Sequence, residues 1–180
     1  MGEYVEAGGT RIWTESRGHG PDVLLVAGLG DPVEAWEAQL DGLSDQYRII
    51  AFDNRGAGRT ALPDGPLSVA SMADDAAAVL GALGIDRAHV AGFSGGSAIA
   101  QELAIRHPAS VRSLVLTSTW ARGDAYFARW AVTGTGWSRR RLTNVPRWRR
   151  SSCGSTRSAP RRGGGRIVRR MRKCLRWWTS

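Results

Sequence analysis

The sequence predicts an α/β fold in which helices cover both faces of a doubly wound, mostly parallel sheet. Short apolar runs alternate with helical segments as far as residue 120, after an opening hairpin. The runs at 22–28 and 47–52 are apolar at nearly every position, as strands buried on both faces are. Small-residue loops follow three of the predicted strands. Because ligands bind outside the carboxyl ends of strands in such sheets, these loops predict one cleft.

Each predicted element has its own sequence signal. The elements are, in chain order, a hairpin of strands 3–7 and 10–16, a strand at 22–28, a helix at 33–46, a strand at 47–52, a helix at 68–84, a strand at 87–93, a helix at 95–107 and a strand at 111–119. Gly8-Gly9 marks the hairpin turn. Trp36, Leu40 and Leu43 recur at helical spacing in the first helix. A Ser opens and a Gly closes the alanine-rich helix at 68–84.

The formal net charge of +9 combines two parts of opposite sign. Residues 1–120 carry 8 basic and 15 acidic side chains, a net charge of −7. Residues 121–180 carry 17 basic side chains and 1 acidic one, a net charge of +16. The sequence becomes Arg-dominated past about residue 130. We therefore divide the chain into a core at 1–130 and an Arg-rich tail at 131–180. The charge belongs to the tail, so it does not mark the core as a nucleic-acid-binding domain.

Other composition features exclude several classes of protein. The two cysteines, Cys153 and Cys174, both lie in the tail, so no disulfide framework is expected in the core. The first residues are acidic and lack the apolar centre of a signal peptide. No apolar run approaches the roughly 18 residues of a membrane span. A cytoplasmic protein without a metal or another cofactor is expected.

The stretch "VAGFSGGSAIA", residues 90–100, predicts a strand that turns at Ser94 directly into a helix. Gly92-Phe93-Ser94-Gly95-Gly96 fits the pattern G-x-S-x-G of a nucleophile elbow. In such an elbow a strained turn exposes the serine hydroxyl, and the flanking glycines leave room for the strand and helix to approach. The pattern alone also fits ordinary turn chemistry. The strand before it and the helix after it favour the elbow.

Three motifs in order carry a resemblance to a known family: "LLVAGLGD", "FDNRGAGRT" and "VAGFSGGSAIAQELAIRHP". Over about residues 4–120 the chain resembles the N-terminal half of an α/β-hydrolase fold protein. It is most similar to the small bacterial serine hydrolases of the esterase, enol-lactonase and non-heme haloperoxidase-like group. The resemblance implies a sheet truncated after its sixth strand. One departure is visible, because this chain has Ala27-Gly28 where the family usually has His-Gly.

The resemblance also implies roles for individual residues. Ser94 would be the nucleophile, and the backbone N–H groups of Leu29 and Gly95 would form the oxyanion hole. Asp53 and Arg55 would tie loops together rather than take part in the chemistry. The implied reaction is acyl transfer from a small ester or lactone through an acyl-enzyme on Ser94.

A base for Ser94 is harder to find. The chain has three histidines, His19, His89 and His107. His89 starts the strand that ends at Ser94, about 16 Å away at 3.3 Å per residue. His107 ends the helix that Ser94 begins, about 20 Å away at 1.5 Å per residue. His19 lies in the turn before a strand, also on the far side. Asp124 is a possible acid, although a solvated residue is the commoner explanation for an Asp at that position. Because no histidine can reach Ser94, impaired activity is expected.

Two interpretations of the tail remain open. A shifted reading frame in a GC-rich gene would produce this mixture of Arg, Gly, Ala, Pro, Ser and Trp. Alternatively, "RIVRRMRKCLRWW" is a basic amphipathic helix, and the chain is a non-catalytic protein that binds nucleic acid or an anionic membrane. In both cases the tail is expected to be disordered, because so charged a segment buries little apolar surface.

Overall fold

The computed structural model describes residues 2–64 and 67–121. The predicted boundary at residue 130, Asp124, both cysteines and the Arg-rich tail lie outside the described residues.

The described residues form one six-stranded sheet, in the order β1-β2-β4-β3-β5-β6. Its strands are β1 (Gly2–Ala7), β2 (Thr10–Arg17), β3 (Asp22–Val26), β4 (Arg48–Phe52), β5 (Ala88–Phe93) and β6 (Val111–Thr117). β4, β3, β5 and β6 run parallel to one another, and β1 and β2 are antiparallel to their neighbours. The predicted α/β class and the mostly parallel sheet are confirmed.

The opening hairpin forms as its glycines predict. Ala7 pairs with Thr10 across a two-residue turn. Gly8 and Gly9 have φ values of 59° and 78°, which only glycine adopts at little cost. The hairpin places β2 beside β4 at one side of the parallel strands.

Three α-helices accompany the strands: α1 (Glu37–Gly42), α2 (Val69–Ala82) and α3 (Gly95–Arg106). α2 begins as predicted, because Ser68 and Ser71 form a reciprocal capping box. The single helix predicted at 33–46 is wrong in extent. A 3-10 turn at Val33–Trp36 precedes α1, which ends at Gly42, a poor helix former. Leu43 therefore lies after the helix and is 39% exposed.

Apolar side chains bury both faces of the sheet. On one face the strands pack against α2 and α3, with Phe52, Val79 and Leu103 among the fully buried side chains. On the other face a smaller cluster contains Val33, Leu40 and residues of β3 and β4. Helices on both faces leave the strand ends as the accessible part of the sheet. In residues 2–64 and 67–121, no helix combines the length and the apolar character needed to cross a membrane.

Candidate active site

The carboxyl ends of the parallel strands meet at one edge of the sheet. Val26 is paired with Phe52 on one side and with Gly92 on the other, and Phe93 is paired with Thr117. The loops that follow these strands are therefore neighbours. This edge is where the sequence predicted a cleft.

Ser94 occupies the turn between β5 and α3. Its backbone has φ 52° and ψ −122°, a left-handed conformation that costs a non-glycine residue about 1–3 kcal/mol. Several hydrogen bonds hold this backbone in place. The Ser94 N–H donates to the Thr117 carbonyl at 3.0 Å, and the Ser97 N–H and hydroxyl donate to the Ser94 carbonyl at 2.9 and 2.6 Å. The side chain of Ser94 is free of these bonds and half-buried.

The glycines around Ser94 allow the strand and the helix to approach closely. A Cβ at Gly92 would lie 2.5 Å from the Gly96 carbonyl oxygen. A Cβ at Gly96 would overlap the carbonyl oxygens of Val26 and Ala27 on β3 and the loop after it. The pattern that predicted an elbow thus corresponds to real contacts between β5, α3 and β3.

Leu29 and Gly95 lie together beside Ser94. The Leu29 nitrogen is 3.1 Å from the position that a Cβ on Gly95 would take. Gly95 is the first residue of α3, and helix N-termini present unpaired N–H groups that favour negative charge. The structure therefore brings together the two backbone amides predicted for an oxyanion hole. Their role in catalysis stays a prediction.

The loop after β4 is structural, as the sequence analysis expected. Both oxygens of the buried Asp53 carboxylate accept backbone N–H groups, from Val33 and from Arg59, each at 2.7 Å. Burial raises the pKa of Asp53, and these two hydrogen bonds oppose the rise. Arg55 makes a two-point ion pair with Asp75 of α2, with both N–O distances 2.6 Å. These contacts join the segment before α1, the loop after β4 and α2.

Two residues beside the cleft were missed by sequence reasoning. Asn54, 2% exposed, donates its side-chain N–H to the Ala27 carbonyl at 3.2 Å. It thereby holds the segment where the family's usual His is absent. Asp31 places a carboxylate oxygen 2.5 Å from the position of a Cβ on Gly28. The sequence signal that could have identified Asp31 is its position directly after the loop "AGLG", which follows a predicted strand.

The structure keeps all three histidines away from Ser94. His89 is the second residue of β5 and lies 2.7 Å from the Ser113 hydroxyl through Nδ1. His107 follows the last residue of α3, and its Nε2 lies 2.7 Å from an oxygen of Asp74. His19 is exposed in the turn before β3. Each ring lies at the amino end of a strand or the far end of a helix, so the chain has no imidazole beside its candidate nucleophile.

Asp124, the candidate acid, falls outside the described residues, and its role stays a prediction. Near the elbow, Gln101 of α3 donates to the Thr119 hydroxyl at 2.7 Å and to the Trp120 carbonyl at 3.3 Å. These bonds fix the start of the segment that leads towards Asp124. Within the described part of the chain, no group of three His, Cys, Asp or Glu side chains is arranged to hold a metal ion.

Comparison with known proteins agrees with this geometry. Residues 21–152 match the family model described as "alpha/beta hydrolase fold". The chain belongs to the alpha/beta hydrolase fold family. The match includes the strand, loop and elbow segments that carried the resemblance, and it extends beyond residue 130, where the tail was predicted to begin. The position of that boundary therefore stays open to test.

Solved structures share the described architecture, and a curated relative is similar in sequence. "Putative carbamate hydrolase RutD" of Azorhizobium caulinodans is 39% identical over 126 residues, which are 70% of this chain and 48% of that protein. The enol-lactonase from Burkholderia xenovorans LB400 is 29% identical, with a TM-score of 0.64 over 67% of this chain and 48% of that one. Est816, described as an N-acyl homoserine lactone degrading enzyme, is 29% identical, with a TM-score of 0.63 over 72% and 52%. The chain thus spans about half the length of the proteins it matches.

Proposed function

We propose that this alpha/beta hydrolase acts on a small ester or lactone through an acyl-enzyme on Ser94. The Ser94 oxygen would form a bond to the substrate carbonyl carbon and give its proton to water. The C–O bond to the leaving group would break, and the leaving oxygen would take a proton from water. Water would then attack the acyl-enzyme and release the acid and Ser94. The Leu29 and Gly95 N–H groups would stabilise the negative oxygen of each tetrahedral intermediate.

The backbone of Ser94 is the observation that carries this proposal. A serine held at φ 52° between a strand and a helix, with the backbone nitrogens of Leu29 and of its own neighbour Gly95 beside it, supports a role for Ser94 as nucleophile and for these two amides as oxyanion donors. A strained non-glycine conformation persists only where surrounding structure enforces it. The hydrogen bonds from Ser94 to Thr117 and from Ser97 to Ser94 supply that enforcement.

The names of the related proteins support a carbonyl substrate. The enol-lactonase and the N-acyl homoserine lactone degrading enzyme are named for lactones, and the RutD relative for a carbamate. All three substrates contain a carbonyl bonded to an electronegative leaving atom. We include a carbamate as a second substrate because the 39% identical relative carries that name. A cytoplasmic site of action is part of this proposal, and cell fractionation tests it.

The chain is expected to be a weak catalyst because no imidazole accepts the Ser94 proton. Binding and oxyanion stabilisation alone leave about 10³- to 10⁴-fold acceleration over water in serine hydrolases without a working triad. We expect hydrolysis of short-chain p-nitrophenyl esters within that range. The Ser94→Ala variant should lose this rate.

The test compares wild type, Ser94→Ala and a matched control, Ser113→Ala. Ser113 lies on β6 beside His89, far from the elbow, so its removal should leave the rate unchanged. Intact-protein mass spectrometry after rapid quenching should detect an acyl adduct in wild type and not in Ser94→Ala. A rate that Ser94→Ala retains would refute the proposal. Fast labelling by a fluorophosphonate would instead refute the absence of a base.

A further inference from the structure

The Asp31 carboxylate and Ser94 both lie close to Gly28. A Cβ at Gly28 would lie 2.5 Å from Oδ2 of Asp31 and 3.7 Å from the Cβ of Ser94. The carboxylate and the nucleophile are therefore neighbours of the same glycine, whose missing side chain lets the Asp31 carboxylate approach this closely. The carboxylate oxygen lies within about 6 Å of the Ser94 Cβ, the range over which a charge acts strongly on a neighbour.

Within the described part of the chain, the Asp31 carboxylate differs from those of Asp53 and Glu34 in having no hydrogen-bond or ion-pair partner. Asp53 accepts two backbone N–H groups, and Glu34 pairs with Arg59. Across residues 2–64 and 67–121, no hydrogen bond or ion pair reaches the Asp31 side chain. Its backbone N–H donates to the Gly28 carbonyl at 3.2 Å, which fixes the turn that carries it. Among the described residues, a half-buried carboxylate thus lies near Ser94 without a basic partner.

The surroundings strengthen the effect of this charge on a bound molecule. Leu29, which lies against Gly95, and Phe93, which directly precedes Ser94, are large apolar side chains that are 38% and 42% exposed. A substrate seated against them would exclude water from the space beside Asp31. Electrostatic interactions are stronger where water is excluded. An anionic substrate would be repelled there, and a cationic one would be attracted.

We propose that Asp31 selects substrates that carry a positively charged nitrogen close to the carbonyl that Ser94 attacks. The proposal rests on the proposed function, since it assigns a substrate class to the same site. Asp31 is a specificity-determining residue in this account and takes no part in proton transfer. Asp31 lies against Gly28, which directly precedes Leu29. Because the Leu29 N–H is a proposed oxyanion donor, the Asp31 carboxylate lies on the side of the site where the substrate carbonyl would bind.

The experiment uses two matched pairs of esters. One pair carries the charge on the acyl side: p-nitrophenyl 4-(trimethylammonio)butanoate and its neutral isostere p-nitrophenyl 5,5-dimethylhexanoate. The other carries it on the leaving group: butyrylthiocholine and S-(3,3-dimethylbutyl) thiobutyrate. The ratio of kcat/KM for the cationic and the neutral ester is measured in wild type and in Asp31→Asn. We expect the ratio to fall about tenfold in at least one pair, as a loss of about 1.4 kcal/mol would produce.

Asp86→Asn is the matched control, because it removes the same charge on the exposed turn before β5, at the opposite edge of the sheet. Both ratios should match wild type in that variant. The cation preference should also weaken with added salt in wild type and much less in Asp31→Asn. Ser94-dependent hydrolysis with unchanged ratios in Asp31→Asn would overturn the proposal and leave the proposed function intact.

A binding measurement keeps the test independent of turnover. The anilide of 4-(trimethylammonio)butanoic acid and the neutral anilide of 5,5-dimethylhexanoic acid are titrated, by ligand-observed NMR, into Ser94→Ala and into Ser94→Ala/Asp31→Asn. We expect the cationic anilide to bind about tenfold more weakly to the double variant, and the neutral one to show a smaller change. If no ester is hydrolysed but this difference appears, the proposed function fails, and of the Asp31 proposal only the binding of cationic ligands is supported. If the two variants bind the cationic anilide equally, the role of Asp31 is refuted.

Discussion

Gly96 has no space for a side chain, although its own backbone is helical. A Cβ there would overlap two backbone carbonyl oxygens, those of Val26 and Ala27, and backbone atoms cannot swing aside as a flexible side chain can. We expect Gly96→Ala to destabilise the fold by about 1–3 kcal/mol or more, as overpacking does. It should also reduce Ser94-dependent hydrolysis, because α3 begins at the elbow. Urea denaturation and the ester assay measure the two effects.

Gly81→Ala is the matched control for Gly96→Ala. Gly81 lies near the end of α2, and a Cβ there would have nothing within 4 Å. Alanine has the higher helix propensity, so the substitution should stabilise the protein by about 0.5–1 kcal/mol. Activity should not change. If both glycine variants lost stability equally, the close approach of α3 to β3 would not be the cause.

Glu102 of α3 is 6% exposed, and its burial raises the pKa of its carboxyl. The positive charge of Arg106 opposes the rise in this pKa, and the negative charge of Asp74 adds to it. A raised pKa in the folded state means that ionised Glu102 costs stability. That cost is absent below the pKa of the unfolded chain, about 4.3, and grows as pH rises through the folded value.

We therefore expect Glu102→Gln to raise the midpoint of thermal unfolding at pH 7 and to have little effect at pH 4. Glu3→Gln, which removes an exposed carboxyl from β1, is the matched control and should change neither midpoint. A gain in stability that is equal at both pH values would contradict an origin in the charge.

At the residue scale, the sequence predicted those site residues whose identity is itself the signal. A serine between glycines after a strand points to Ser94, and its neighbour Gly95 follows from the same pattern. Asp31 and Asn54 could not be found in this way, because their importance comes from how separate loops meet in the folded chain. Asn54 meets the Ala27 carbonyl 27 positions earlier in the chain. Contacts between distant loops depend on how the strands are ordered.

At the scale of elements, the ion pair between Arg55 and Asp75 connects the loop after β4 to α2. The side chains are 16% and 5% exposed, and two hydrogen bonds join them. Asp75→Asn would leave the Arg55 guanidinium partly buried and without its carboxylate. We expect a loss of about 2–3 kcal/mol in the free energy of unfolding, as for other hydrogen bonds to charged groups. Urea denaturation measures it.

Glu6→Gln provides the comparison for Asp75→Asn. Glu6 pairs with Arg11 on the hairpin at 3.4 Å, and the two side chains are 73% and 67% exposed. Exposed pairs contribute little because water and salt screen them, so the loss should be below about 0.5 kcal/mol. Equal effects of the two substitutions would contradict a larger contribution to stability from the Arg55–Asp75 pair.

Elements whose ends are set by nearby turn or cap residues were predicted well. Elements whose extent depends on packing in the folded chain were predicted less well. The hairpin follows from Gly8-Gly9, and α2 from Ser68 and a run of good helix formers. The segment 33–46 had helical spacing of apolar residues but ends its helix at Gly42, after only six residues of α1. Leu43, which the spacing assigned to the buried face, instead caps the helix and accepts the N–H groups of Gln46 and Tyr47.

At the scale of the whole core, a parallel sheet could be predicted, but its strand order could not. Apolar runs identify strands, whereas the order β1-β2-β4-β3-β5-β6 depends on packing against helices on both faces. One consequence of a parallel sheet could still be derived from the sequence alone. A residue at the start of a strand and a residue at its end lie at opposite edges of the sheet. Local flexibility does not bridge the distance between these two edges. The separation of Ser94 from the histidines has this origin.

That separation predicts how the chain responds to an added base. Free imidazole is small enough to reach Ser94 and can accept its proton. General bases raise the rate of such a step by about 10²- to 10⁴-fold. We expect added imidazole to raise Ser94-dependent hydrolysis at least about tenfold, after subtraction of the rate that Ser94→Ala shows at the same concentration. The triple variant His19→Gln/His89→Gln/His107→Gln should hydrolyse esters and respond to imidazole as wild type does. If any one of these histidines proves necessary for the Ser94-dependent rate, its imidazole reaches the elbow in solution, and the opposite-edge argument fails.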